Sequence, residues 1–347
     1  MSMYIYDWSV VSPLAVGKEK FIEKINQLFV HNDLQFDEAF RFEAFNRKDY
    51  LGKKGVRNMD ELGAYATTAS KLIVDSHLQA FANKNEVGVI LGTATGSIKS
   101  QVDFIRDIHE QEMIEWINPI QFPQTVMNCA AGQVSIWHQF TGVNTTISGG
   151  YQSTVSAFEY AANCFKNTRV KQLLVGGVEE YSDYSQALLP KEIAHQQVLG
   201  EGCALFWVGN QSQSATDTQL LLSKRYAYFN RLESNEIVDK LAKEIHRILD
   251  NHRIESQLIS HICFNQFTTR ESQIVTQLNQ ALTNGNAKQV CSNDYLADCL
   301  SATSGLQLAL LLADNSYTKQ ENSIAISVTF DPRGRVGLII LKTGEQQ

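Results

Sequence analysis

The run Gly142-Val143-Asn144-Thr145-Thr146-Ile147-Ser148-Gly149-Gly150-Tyr151-Gln152-Ser153 reads as a strand, a sharp glycine turn and the start of a helix. Such a corner raises one side chain at a helix N-terminus, where free backbone amides and the helix dipole lower a thiol pKa and cradle an oxyanion. It is a geometry suited to a nucleophile. Ser148 and Ser153 lie in this run, but a serine without a positioned base acts as a helix cap rather than as a catalyst. The six cysteines, Cys129, Cys164, Cys203, Cys263, Cys291 and Cys299, all lie outside the turn. They form no CxxC pair and have no histidine at metal-ligand spacing, so neither a zinc site nor a disulfide framework is expected, and buried reduced thiols are.

The elements that must position this corner follow from periodicity. Residues 3–10 alternate as a strand, and 18–29 and 60–78 carry apolar residues at helical spacing. Residues 87–91 form a short apolar run ending in Gly92-Thr93-Ala94-Thr95-Gly96, as expected of a buried parallel strand entering a loop. Helices are predicted at 97–115, 126–140 (with the small Ala130-Ala131-Gly132) and 153–166, and strands at 145–148, 172–176 and 202–208. The polar stretch 210–218 marks the boundary between two halves, residues 1–212 and 213–347. The cycle then restarts with strands near 220–228, 261–265, 323–329 and 336–341 and helices at 235–249, 271–282 and 296–313. Alternating helices and apolar strands predict an α/β fold of largely parallel sheets, its two halves stacked as five layers α/β/α/β/α.

The chain has 347 residues, 44% apolar and 19% charged, and a formal net charge of −7. This composition fits a folded protein with a large core and gives nucleic acid no basic surface. The first residues lack the pattern of a signal peptide, and no stretch reaches the ~18 apolar residues of a membrane span, so a cytoplasmic location is expected.

Several segments, in order, carry a resemblance. They are Val10-Val11-Ser12-Pro13-Leu14, the stretch from Lys54-Gly55-Val56-Arg57 to Asp60, the Gly92 to Gly96 loop, and Asn128-Cys129-Ala130-Ala131-Gly132. The glycine corner, Gly176-Gly177-Val178-Glu179-Glu180 and Gly200-Glu201-Gly202 follow. Together they resemble the β-ketoacyl synthases of the thiolase superfamily over most of the chain, which implies the thiolase-like fold. In that family the corner holds a catalytic cysteine, and two histidines on later loops promote malonyl decarboxylation. Registered on that pattern, Tyr151 takes the cysteine's place, and a phenol is bulkier than a thiol and a poor acyl acceptor. Gln266, in Phe264-Asn265-Gln266-Phe267-Thr268, takes the first histidine's place, and either Asp298 or Cys299 takes the second's. His261 opens the strand leading to Gln266 and reads as a core or edge histidine.

Losing all three catalytic positions while keeping the scaffold resembles the chain length factors, inactive partners of ketosynthases in type II polyketide systems. The best-known chain length factors often carry Gln in place of the nucleophile, a pattern from which Tyr151 departs, while the shortening between residues 185 and 200 and in the second half resembles the small divergent members of aryl polyene-type clusters. The resemblance implies a subunit without catalytic residues of its own and without a bound cofactor, with acyl chains arriving on the phosphopantetheine of an acyl carrier protein. It implies a heterodimer with an active β-ketoacyl synthase in polyketide or fatty-acid-like biosynthesis. The helix 126–140 and the strand 144–148 would form the dimer face. Thr95, Phe104, Ile105, Ile108, Trp116 and Met127 are the candidates for the acyl tunnel. Arg47, Lys48, Lys53, Lys54 and Arg57 form a local basic cluster, a candidate surface for the acidic carrier protein. The alternative is a divergent acyltransferase of the same fold that uses Cys299 or Tyr151.

Overall fold

In the computed structural model, residues 3–31, 34, 39–111, 113–167, 170–189, 198–227 and 232–344 are described. The strands are β1 (Met3–Ser12), β2 (Ala15–Val16), β3 (Ala39–Phe40), β4 (Val87–Gly92), β5 (Asn144–Ile147), β6 (Gln172–Glu179), β7 (Leu199–Gly200) and β8 (Gly202–Gly209). In the second half they are β9 (Thr218–Tyr226), β10 (Ile259–Phe264), β11 (Lys288–Cys291), β12 (Ile324–Phe330) and β13 (Val336–Lys342). The helices are α1 (Lys18–Val30), α2 (Arg47–Leu51), α3 (Glu61–Ser76), α4 (Ile98–Glu110), α5 (Cys129–His138) and α6 (Ser153–Asn167). They continue with α7 (Asp183–Ala187), α8 (Ser234–Asn251), α9 (Thr269–Thr283), α10 (Ala302–Ala313) and α11 (Asn315–Thr318).

The strands run β5-β4-β6-β8-β1 in the first half and β11-β10-β12-β13-β9 in the second, the same order of connection repeated. A short antiparallel pairing of Met3, Tyr4 and Ile5 with Leu220, Gln219 and Thr218 joins the halves edge to edge. The sheets are mixed rather than largely parallel: β8 pairs antiparallel with β6 and β1, and β13 pairs antiparallel with β12 and β9. Burial explains why sequence did not reveal this. A strand covered on both faces is apolar throughout whichever way it runs, and β8 and β12 are buried at every residue.

Helices α6 and α10 pack against strands of both halves and form the middle layer. All residues of α10 are buried, as its all-round apolar sequence Ala302-Thr303-Ser304-Gly305-Leu306-Gln307-Leu308-Ala309 anticipates. α3 and α5 cover the outer face of the first sheet, and α8 and α9 that of the second, which completes the five layers. The outer helices are amphipathic. On α8, Ile237, Val238, Leu241, Ala242, Ile245, Ile248 and Leu249 are buried at three- and four-residue spacing.

Three predicted helices are shorter than expected. The helix predicted at 97–115 stops at Glu110, and that at 126–140 starts at Cys129 behind a 3₁₀ stretch, Pro119–Thr125. The predicted helix 296–313 begins only at Ala302. Its first residues are held extended by backbone bonds from Asp298 N to Val198 O (3.0 Å) and from Gly200 N to Asp298 O (2.8 Å), and Leu300 sits at φ 47°. Part of the expected shortening at 185–200, residues 190–197, lies outside the described residues. Among the described residues no helix is long and apolar enough to cross a membrane.

Candidate functional site

The glycine corner forms as the sequence suggests. β5 ends at Ile147, Gly150 turns the chain at φ 76°, and α6 begins at Ser153. Ser153 behaves as a turn residue, its hydroxyl accepting from Gly149 N (2.8 Å) and donating to Gly150 O (2.6 Å). Gly177 of β6 lies beneath the start of the helix: a Cβ there would stand 2.0 Å from Thr154 Oγ1 and 3.1 Å from Ala302 Cα. The two central helices therefore start against one glycine, which brings the corner and the 298–303 turn together.

That turn supplies the partner of Tyr151. The phenol donates to Asp298 Oδ2 at 2.6 Å, both residues are buried, and the edge of Phe267 closes on the Tyr151 ring at a centroid distance of 5.4 Å. Asp298 Oδ1 accepts from Leu300 N (2.9 Å) and lies 3.4 Å from Thr303 Oγ1. Of the two residues left open by sequence, Asp298 faces Tyr151. Cys299 is fully buried, with its sulfur packed against Gly200. From the 264–268 loop it is Phe267 that reaches Tyr151, while Gln266 N donates to Asn293 Oδ1 at 2.8 Å.

The electrostatics reverse what the corner promises a nucleophile. Burial, followed by the neighbouring Asp298, pushes the Tyr151 phenol well above its ordinary range despite the nearby helix N-terminus. Burial also carries the Cys299 thiol well above its ordinary value. Asp298 is raised to about 6 by burial, against the opposing hydrogen bond from Tyr151. His261 is a satisfied core histidine, bonded to Ser260 Oγ (2.8 Å) and Ser316 Oγ (3.0 Å) and paired with Asp314 (3.3 Å). All six cysteines are free, and the described residues contain no group of ligands able to hold a metal ion.

Glu179 ties the loops together. Fully buried, it accepts from Ala94 N, from Thr95 Oγ1 (3.0 Å) and from Ser301 Oγ (2.5 Å), so one carboxylate clamps the 92–96 loop to the start of α10. Its neighbour Glu180 is buried near the first turns of α3 and α4, and its Oε1 has no hydrogen-bond partner. Burial raises Glu179 to about 7 and Glu180 to about 8. Because these folded values exceed the unfolded one, the stability they contribute is complete below about pH 4.5 and is lost as pH rises to 7 and 8. Glu180→Gln, which keeps the side chain's size and removes the titrating carboxyl, should gain on the wild type by on the order of 3 kcal/mol between pH 5 and pH 8.5 in urea melts. A pH-independent difference would contradict this assignment.

A cavity of about 270 Å³ opens above Tyr151, lined by Ala94, Thr95, Leu188, Leu189, Leu300 and the turn 331–335 among others. Thr95 is the one tunnel candidate in its wall. Phe104, Ile105, Ile108, Trp116 and Met127 lie elsewhere, on α4 and the segments before α5. There Ile105 and Trp116 are 54% and 56% exposed, beside Phe122 at 59% and Ile136 of α5 at 79%. β5 is the edge strand of its sheet and is partly exposed. Of the basic cluster, Lys48, Lys53, Lys54 and Arg57 are exposed, whereas Arg47 folds inward to pair with Glu61 and to contact Asp60 O (3.5 Å). Arg47 is thus part of the α2–α3 packing and not of a free surface. Sequence reading missed the turn Asp331-Pro332-Arg333-Gly334-Arg335, although a polar hairpin between two apolar strands was a visible signal. Arg335 Nη1 from this turn donates to Gly149 O at 3.0 Å.

Known proteins place this arrangement. The sequence pattern of the beta-ketoacyl synthase N-terminal domain matches residues 66–254, more than half of the chain. The 3-oxoacyl-[acyl-carrier-protein] synthase 2 of Vibrio cholerae serotype O1 is 26% identical over 146 residues, 40% of this chain and 34% of that protein. Its counterpart in Rhizobium meliloti is 25% identical over 138 residues, 39% of this chain and 32% of that protein. The chain therefore spans about a third of the length of the curated relatives it matches. Among solved structures, the ishigamide ketosynthase/chain length factor superposes with a TM-score of 0.82 at 23% identity, covering 99% of this chain and all of that one. The ketosynthase ApeO in complex with its chain length factor ApeC from Xenorhabdus doucetiae gives 0.70 at 15% identity, covering 99% of this chain and 98% of that one. The thiolase-like fold is shared with both. The Tyr151 corner is thus part of a chain that belongs to the β-ketoacyl synthase family.

Proposed function

We propose that this chain is a non-catalytic, chain-length-factor-like subunit that pairs with an active β-ketoacyl synthase and shapes the tunnel for the growing acyl or polyketide chain. The observation that carries this reading is the buried Tyr151–Asp298 hydrogen bond. It fills the nucleophile's corner with a phenol held in its protonated form by burial and by a carboxylate. The partner would supply the cysteine and both histidines, and chains would arrive on the phosphopantetheine of an acyl carrier protein. The apolar surface formed by α4, the 3₁₀ stretch Pro119–Thr125 and α5, next to the edge strand β5, supports the dimer face and the placing of Phe104, Ile105, Ile108, Trp116 and Met127 near the tunnel end. Exposed Lys48, Lys53, Lys54 and Arg57 fit an acidic carrier, whose encounter complementary charge would speed.

The competing reading, an acyltransferase using Cys299 or Tyr151, needs a thiolate or phenolate that burial disfavours at both positions. Incubation of the chain alone with acyl- and malonyl-carrier thioesters should leave its intact mass unchanged and release no carbon dioxide. A stoichiometric acyl adduct mapped to either residue would establish the competing reading instead.

A further inference from the structure

Neither α4 nor the 3₁₀ stretch Pro119–Thr125 contains a buried residue. Of the fourteen large apolar side chains exposed among the described residues, eight lie between Ile105 and Met127, so the uncovered apolar surface is concentrated here. The two elements pack on each other, with the Phe104 and Phe122 ring centroids 6.0 Å apart. They leave the body and return to it at one place: Gly96, at φ 58°, precedes α4, and a Cβ on it would stand 3.3 Å from Cγ of Met127, just before α5. Ser97 pins that neck, its hydroxyl donating to Asp60 Oδ2 at 2.6 Å. Beyond the neck, α4 is held by α7. The Arg106 guanidinium lies over the Tyr184 ring, 5.7 Å from its centroid, and donates to the Tyr184 hydroxyl, which in turn donates to Asp103 Oδ1 at 3.3 Å. Side chains that bury little surface supply little free energy against opening, and units with such sparse burial open well below the global unfolding free energy. α4 and the 3₁₀ stretch thus form an arm stitched to itself, narrow at its root and fastened to the body through Tyr184.

We infer that α4 and the Pro119–Thr125 stretch open together as one unit from the isolated chain while the five layers stay folded, and that Tyr184 is the latch that keeps the unit closed. The arm carries Ile105 and Phe122 of the apolar face assigned above to the partner, so a partner seated there holds it shut; that last step alone rests on the proposed pairing. The test is amide hydrogen exchange read by mass spectrometry on the dilute, monomeric chain. Protection of α4 and of residues 119–125 should be alike, and at least 100-fold below that of α6 and α10. Tyr184→Phe, which keeps the ring and loses both hydroxyl bonds, should speed exchange of both segments at least fivefold and leave α6 and α10 unchanged. Arg106→Leu should act the same way, and the double variant should add little to either, because both act through one bond. Fraying of an exposed helix would instead leave residues 119–125 indifferent to Tyr184. In a purified pair with a ketosynthase, exchange of both segments should slow at least 100-fold. Protection of α4 equal to that of α10, indifference of either segment to Tyr184→Phe, or a formed pair in which both segments exchange as before would each overturn the inference. A chain that forms no such pair counts against the proposed function and not against the arm, which the isolated-chain rates decide.

Discussion

Tyr151→Phe should lower the stability of this protein by about 2–3 kcal/mol at pH 8 and by only about 1 kcal/mol at pH 5, because a hydrogen bond to an ionised carboxylate is worth roughly twice a neutral one. The phenol lowers the Asp298 pKa, which burial has raised to about 6. Removing it leaves a buried carboxylate with Leu300 N and Thr303 as its remaining partners, so its folded pKa climbs further. A raised carboxylate contributes stability that is complete below its unfolded pKa and lost as pH rises through the folded value, so the variant's deficit must open above about pH 6. Asp298→Asn keeps a neutral phenol–amide bond and should flatten this dependence, and the double variant should show coupling between the two positions. Urea melts at the two pH values decide the matter. A cost below about 0.5 kcal/mol, equal at both, would mean that the pair is not the structural bond described here.

The second large effect concerns the exposed apolar face. Ile105, Phe122 and Ile136, each more than half exposed, lie on elements that pack side by side, and Trp116, also more than half exposed, lies on the chain between α4 and the 3₁₀ stretch Pro119–Thr125. An isolated chain with such a patch is expected to self-associate, and a partner that covers it gains the burial of several large side chains. Trp116→Asp combined with Ile136→Asp should weaken pairing with a ketosynthase by more than about 100-fold, equivalent to about 2.8 kcal/mol, while making the isolated chain more soluble. Gel filtration of the variant alone and pull-down with the partner give the two readouts. Undiminished pairing would place the interface on another face.

Much of this architecture was legible in the sequence because burial and periodicity coincide. The glycine corner and the strands entering it follow from apolar runs and turn residues, and the observed elements begin and end within a few residues of those positions. The parts that escaped depend on tertiary contacts. The segment before α10 carries Leu296, Ala297 and Leu300 at helical spacing, yet backbone bonds to Val198 and Gly200 hold it extended and put Asp298 under Tyr151. β11 is short and mostly exposed at an edge, so Lys288-Gln289-Val290-Cys291 carries almost no pattern. At the site, family register identified Tyr151 and left Asp298 and Cys299 undivided, because a one-residue choice depends on which side chain turns inward. The role of Glu179 as a clamp, and the bond that the 331–335 turn makes to Gly149, became visible only when distant loops met.

Co-expression with a complete Cys-His-His β-ketoacyl synthase, followed by native mass spectrometry and a condensation assay of the purified species, tests the central claim most directly. The account predicts a 1:1 heterodimer that condenses acyl and malonyl carriers, loses all activity when the partner's cysteine is replaced, and retains it when Tyr151 is changed to Phe. Two results would contradict it: a chain that stays unpaired beside an active synthase, or condensation that survives loss of the partner's cysteine but not loss of Tyr151 or Cys299.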